Sequence, residues 1–158
     1  MSDLTGIGNA YGFSPETPTP VRINVAVAAT STRVRVTFSV EMKHVNPADI
    51  EDVLYLTNWS FTAITPGANP INPTGTVSVV QAAPTIVDID TDAEMTDGAT
   101  YEVHVVNVRS AEGSGLVIGG GDKQFTGAGV QPTVSSATSP ASFRVVVTFS
   151  EAMKDNAA

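Results

Sequence analysis

Arg33-Val-Arg-Val-Thr-Phe-Ser-Val-Glu-Met-Lys43 returns as Arg144-Val-Val-Val-Thr-Phe-Ser-Glu-Ala-Met-Lys154, with eight of eleven positions identical at an offset of 111 residues. In the first copy Val34, Val36 and Phe38 share one face, and Arg33, Arg35, Thr37 and Ser39 share the other. Val145, Val147 and Phe149 repeat the apolar face. Strict alternation of this kind reads as a strand with one buried side. An interval of about 110 residues matches one β-sandwich domain, not a short solenoid unit. The 158 residues are therefore expected to hold one full domain, a linker and the first strand of a second domain.

The residues on either side of the first copy extend the pattern. Ile23, Val25 and Val27 alternate with Asn24, Ala26 and Ala28 in a first strand, and Thr30-Ser31 turns the chain. Asn46-Pro47 offers a cap and a first-turn proline, with Asp49, Glu51 and Asp52 suited to the positive end of a helix dipole. A short helical turn is expected over 46–56, leading into a strand at Trp59–Ile64. Prolines and glycines make 65–76 irregular, and 77–80 and 85–89 read as short strands. Thr96-Asp97-Gly98-Ala99-Thr100 turns the chain into a strand in which Tyr101, Val103 and Val105 face inward. A tyrosine so placed has the position of a Greek-key tyrosine corner. Glycines at 113–121 bracket a hairpin-like excursion at Leu116-Val117-Ile118, and a last strand follows near 123–126. Short strands separated by turns, with almost no helix, indicate an all-β sandwich.

Composition narrows the function classes. Only 15% of the residues are charged, and 16 acids against 8 bases give a net charge of −8. An acidic surface disfavours nucleic acid and anionic membranes, both of which recruit basic patches. Cysteine is absent, so stability has to come from packing rather than from a disulfide. The first residues show neither a basic n-region nor an apolar h-region.

Residues 1–20 differ from the rest: glycines precede Ser14-Pro15-Glu16-Thr17-Pro18-Thr19-Pro20, and this proline spacing favours extended chain. Two readings stand side by side, a disordered tail and an anchoring arm. The arm would bury Leu4, Ile7, Tyr11 and Phe13 on a partner, with a reach of roughly 65 Å.

Val-Thr-Phe-Ser-Glu-Ala-Met at 147–153, Leu-Thr-Asn-Trp-Ser-Phe at 56–61 and Met-Thr-Asp-Gly-Ala-Thr-Tyr-Glu-Val-His-Val at 95–105 together resemble bacterial Ig-like repeat domains. Such domains occur in tandem in surface-layer and cell-envelope proteins and in structural proteins of tailed bacteriophages. The likeness covers about 21–127 and restarts near 133. The first copy departs from it at Val40-Glu41, and 113–121 is richer in glycine than such domains usually are. The resemblance implies an Ig-like Greek-key β-sandwich acting as a spacer or adhesion module, with no catalytic residues to carry over. The expected organisation is an extended arm (1–20), an Ig-like domain (21–127), a linker (128–133) and the first strand of a second, truncated Ig-like domain (134–158).

Candidate chemistry is sparse. His44 lies in a loop and His104 on an outer strand face, and neither has an evident serine or aspartate partner for a hydrolase triad. Asp88, Asp90 and Asp92 alternate and project from one side, a weak candidate calcium site. Against it, the EF-hand pattern fails at Ala93 and Ala99, and a solvated acidic strand edge is the favoured reading. Asn58-Trp59-Ser60 matches a glycosylation sequon, but Trp59 is expected in the core rather than as a sugar-stacking residue. No cofactor is expected.

Those features suggest a non-enzymatic structural protein of a tailed-phage virion, an appendage, tail-fibre or neck component. It would assemble in the host cytoplasm, join other virion proteins through the arm, and form a homo-oligomer in a symmetric particle without nucleic acid or membrane contacts. The alternatives are a bacterial surface-layer or adhesin module at the cell surface and a carbohydrate-binding module. A single strand cannot close a second sandwich, so the natural chain is expected to continue.

Overall fold

Burial of the alternating valines sets the architecture. In a computed structural model that describes residues 19–80, 82–117, 119–130 and 133–150, nine strands form three antiparallel sheets. These are β1 (Ile23–Thr30), β2 (Arg33–Phe38), β3 (Trp59–Ala63), β4 (Pro73–Val79), β5 (Ile86–Thr91), β6 (Thr100–Val105), β7 (Asp122–Thr126), β8 (Val134–Ala141) and β9 (Arg144–Phe149). One sheet runs β1-β2-β5-β4, a second β3-β6-β7, and β8 pairs with β9 alone. The first two have the neighbour order of seven-strand, constant-type immunoglobulin sandwiches.

One apolar cluster joins these two sheets. Val34, Val36, Phe38, Val77, Val87 and Ile89 from the first pack with Trp59, Tyr101, Val103, Val105 and Phe125 from the second. Phe38 meets Trp59 edge-on across the interior, with ring centroids 6.1 Å apart and planes at 66°. Trp59 also donates its indole N–H to the Val53 carbonyl at 2.8 Å, so the buried polar tip is satisfied, as such a ring requires.

The expected tyrosine corner is present. The Tyr101 hydroxyl donates to the Asn69 carbonyl and accepts the Thr96 N–H, both at 2.9 Å, which fixes the turn that feeds β6. Tyr101→Phe leaves both backbone groups without this partner and is expected to cost about 1–3 kcal/mol with the fold retained. Thermal unfolding checks it; an unchanged midpoint would show the corner to be dispensable. Gly127 follows β7 at this place because a β-carbon there would stand 2.7 Å from both the Thr96 carbonyl oxygen and the Tyr101 ring.

Several local expectations change. Ile23, Val25 and Val27 do not share a face. The register shifts between Ile23 and Val25, so Ala26 turns inward while Val25 and Val27 stay 48% and 44% exposed. An extra residue in a strand reverses the side-chain parity beyond it. Segment 46–56 contains no α-helix. Four-residue turns follow one another (Asp49 N–H to Asn46, Asp52 to Asp49, Tyr55 to Asp52, Asn58 to Tyr55), ending in a single 3-10 turn at Leu56–Asn58. The loop expected over 65–76 yields its last residues to β4, which starts at Pro73 and shifts register between Thr74 and Val77, where Gly75 adopts φ 63°. Proline and an irregularity both suit this outer strand of the sheet. The hairpin-like excursion is seen in an antiparallel bridge between Arg109 and Gly115, and Leu116 pairs in parallel with Val21.

The second copy forms two strands where one was expected. Its pairing follows the first copy with the same offset: Ile23↔Phe38, Ala26↔Val36 and Thr30↔Arg33 reappear as Val134↔Phe149, Ala137↔Val147 and Ala141↔Arg144. The register shift after Ile23 recurs after Val134. Even the closing contacts match. Ser39 N–H donates to the Arg22 carbonyl at 2.9 Å and Ser150 N–H to that of Thr133 at 2.8 Å; in return Ser39 and Ser150 hydroxyls accept the Arg22 and Thr133 N–H groups.

Candidate functional site

Asp88 and Asp90 point outward from β5 and meet arginines across the sheet. Register places Arg35 opposite Asp88 and Arg33 opposite Asp90. Arg35 makes a two-pronged contact to Asp88 at 2.7 and 2.8 Å, and the Arg33 Nε reaches Asp90 at 2.6 Å. Asp92 turns to another partner, accepting the backbone N–H and side-chain amide of Asn72 at 2.7 and 3.0 Å. Each of the three carboxylates thus has its own partner, and Asp88 and Asp90 with their arginines form a cross-strand charge ladder. Among the described residues, no cluster of three histidines, cysteines or acids has metal-binding geometry.

Those Asn72 hydrogen bonds, side chain first, hold the Asp92 carboxyl below its ordinary pKa. A depressed folded-state value means the contact contributes above the unfolded-state pKa and is lost as pH falls through the lower folded one. Asn72→Ala is expected to return the Asp92 titration toward the ordinary carboxylate value, read by carboxyl NMR; an unmoved midpoint would reject this cause.

Of the two histidines, His44 bonds through Nδ1 to the Met42 carbonyl oxygen at 2.7 Å. His104 lies on the outer face of β6, as expected, but it is not without partners. Its Nδ1 is 2.8 Å from Asp122 and its Nε2 3.2 Å from the Thr62 hydroxyl. This corrects the expectation that neither histidine has a hydroxyl-and-carboxylate arrangement. Strand register creates it: Ser60↔His104 and His104↔Asp122 are cross-strand partners on β3, β6 and β7, with Thr62 one pleat along. The likeness to a hydrolase triad ends there. Glu102 also approaches Nε2 at 3.3 Å and competes with Thr62 for it. The group lies on an open sheet face and lines none of the grooves described below, so it lacks the enclosed oxyanion pocket that acyl transfer needs.

Two further groups were not foreseen. Asp52 is fully buried, and its carboxylate accepts the N–H groups of Val45, Asn46 and Leu54 at 2.7–2.8 Å, tying segment 45–54 into one knot. Nearby, Lys43 bonds Asp49 at 2.7 Å, and Arg109 pairs with Glu51 at 2.8 Å. The Asp49 hydrogen bond raises the Lys43 pKa, and that Lys43 contact, with the Glu51 N–H, lowers that of Asp49.

Concave surface is shallow. One groove of ≈ 380 Å³ lies between Pro47, Leu54, Tyr55, Gly75 and Val77; another of ≈ 340 Å³ runs past Ile50, Asn107, Arg109 and Leu116. A third, of ≈ 300 Å³, is lined by Asn69, Met95, Asp97 and Val130, where the Gly129 N–H donates to Asp97. None presents a nucleophile beside a base. Trp59 is 4% exposed and offers no stacking surface for a sugar. The anchor residues Leu4, Ile7, Tyr11 and Phe13 lie outside the described residues, as does the continuation past 150.

Among the described residues, β9 leaves its apolar side uncovered. Val145, Val147 and Phe149 are 67%, 44% and 38% exposed, whereas the matching Val34, Val36 and Phe38 are 0%, 0% and 2% exposed.

No protein-family model matches the chain, and no curated protein matches it. Solved structures do. The N-terminal part of the bacterial S-layer protein SbsC is 18% identical over 82% of this chain and 31% of its own length, with a TM-score of 0.55. Domains 1–6 of surface layer protein SbsC are 19% identical over 83% of this chain and 18% of that one, with a TM-score of 0.57. The S-layer protein rSbsC(31-844) gives 20% identity, 82% and 18% coverage and a TM-score of 0.55. The chain thus spans less than a third of these proteins. At such identity the likeness shows a shared β-sandwich fold.

Proposed function

We propose that this chain is a non-catalytic structural piece of a bacterial cell-surface protein of the surface-layer kind, built from Ig-like sandwiches in tandem. The observation that carries the reading is the recurrence of the β1–β2 hairpin as β8–β9, with five of its six residue pairs and its first register shift repeated at the same offset. On this reading 21–127 is one module, 128–133 the joint and 134–158 the opening of the next. The joint begins under restraint, since Gly127 exchanges backbone hydrogen bonds with Gly98 and Ala99 and Gly129 bonds Asp97. Neighbouring modules held this way make a spacer, and copies of it make an assembly.

Likeness to S-layer domains favours the cell-surface alternative over the virion component with its arm anchored through Leu4, Ile7, Tyr11 and Phe13. The paired carboxylates, shallow grooves and open Thr62–His104–Asp122 face support a structural role over an enzymatic one.

Antibodies raised against residues 21–127 test it. Labelling of intact cells of the source bacterium, removed by brief external proteolysis, is the expected result. Label confined to permeabilised cells would overturn the proposal, and label on purified phage particles would restore the virion reading.

A further inference from the structure

What covers β2 in this chain shows what β9 lacks. Strand β5 runs antiparallel to β2, with Val36 opposite Val87, Arg35 opposite Asp88, Val34 opposite Ile89 and Arg33 opposite Asp90. The β9 residues at those four places are Val147, Val146, Val145 and Arg144. Three of the four are kept, and one changes character: Arg35, which makes the two-pronged contact to Asp88, is replaced by Val146. On its other side β9 already pairs with β8. Among the described residues nothing pairs with its free edge, and its apolar face stands open.

We propose that the free edge of β9 is a strand-acceptor site. Its occupant is an extended segment that runs antiparallel and reads valine, an uncharged β-branched residue, isoleucine, aspartate. The inference rests on the tandem-module reading and deepens it, because the chemistry of the acceptor is taken from the equivalent site. Backbone hydrogen bonds along a sheet edge supply affinity, and the alternate side chains supply selectivity. The apolar residues cover Val145 and Val147 as Ile89 and Val87 cover Val34 and Val36. The aspartate pairs with Arg144 as Asp90 pairs with Arg33. Opposite Val146 a carboxylate has no guanidinium to bind and loses water without compensation, so the acid used at Asp88 is excluded there. A second β9 is a poor occupant on the same grounds, since 144–149 contain an arginine and no carboxylate.

The test uses the whole 158-residue chain, labelled for NMR, and two synthetic peptides: residues 84–91 and the same peptide with Asp88→Val. The Asp88→Val peptide is expected to perturb the 144–149 amide signals and to bind roughly tenfold more tightly than the unchanged one. Val146→Arg in the protein is expected to reverse that preference, and Arg144→Ala to weaken both peptides alike. Failure of both peptides to move the β9 signals, or an unchanged preference in Val146→Arg, would overturn the proposal. Concentration-dependent dimerisation through 144–149 that neither peptide competes away would assign the edge to a second copy and overturn it too. Cell labelling is independent of these arms, so failure here leaves the surface reading separately decided.

Discussion

Phe38→Ala is expected to destabilise the sandwich by about 3–5 kcal/mol, whereas Phe149→Ala, at the matching place on β9, is expected to cost less than about 1 kcal/mol. The two residues occupy the same position of the same eleven-residue stretch and differ in what surrounds them. Phe38 is 2% exposed and packs edge-on against Trp59; Phe149 is 38% exposed. Truncating the first removes apolar contacts and leaves a cavity between two sheets that can relax only partly. Truncating the second removes a ring from an open face. For a domain of about 100 residues the first change lowers the melting midpoint by more than about 10 °C. The chain has one tryptophan, so Trp59 fluorescence in denaturant reports the β1–β7 core alone, and far-ultraviolet dichroism adds the hairpin. Equal losses at the two sites would show that the β9 face is covered in solution as completely as that of β2.

Asp52→Ala carries the second large effect. Its buried carboxylate is the shared acceptor for three backbone N–H groups, from Val45, Asn46 and Leu54. The same segment supplies the Val53 carbonyl that receives the Trp59 indole N–H, and Asn58 bonds back to the Ile50 and Asp52 carbonyls. Alanine strips all three donors of their partner and loosens the support under Trp59, at a cost of about 3–5 kcal/mol. Asp52→Asn keeps one accepting oxygen but turns an amide toward the remaining donor, so its melting midpoint is expected between the native and alanine forms. Native-like melting of Asp52→Ala would remove Asp52 from the account of this loop.

Helix-terminus electrostatics gave Asp49, Glu51 and Asp52 one common role in the sequence. The structure separates them into a half-buried lysine partner, an arginine partner and a buried knot. Proline and acidic residues are equally suited to a helix start and to a run of tight turns. Whether 46–56 continues as a helix depends on Val53 and Trp59 finding the core, which no window of eleven residues contains. Tyr101, in contrast, was readable: a turn followed by an alternating strand has few other outcomes, and its hydroxyl partners follow from that corner.

The same division runs through the outer surface. Alternation placed Arg33, Arg35 and His104 on outer faces, and there they are; Asp88 and Asp90 share the arginines' face, with Asp88 only 7% exposed. It did not pair Arg35 with Asp88, nor bring Thr62 and Asp122 to His104, because those contacts cross strands far apart in the chain. It also missed the shift after Ile23 that sends Val25 and Val27 outward, since one inserted residue leaves composition and propensity unchanged while reversing every side chain beyond it.

The amino-acid order by itself determined an all-β chain whose apolar stripes recur after 111 residues, because a half-buried strand writes its period into adjacent side chains. Tertiary structure alone decided which strands are neighbours, which carboxylates are neutralised by arginine, and which copy of the stripe is covered. Those outcomes depend on sheet order and register, which are selected by the burial of many distant residues together.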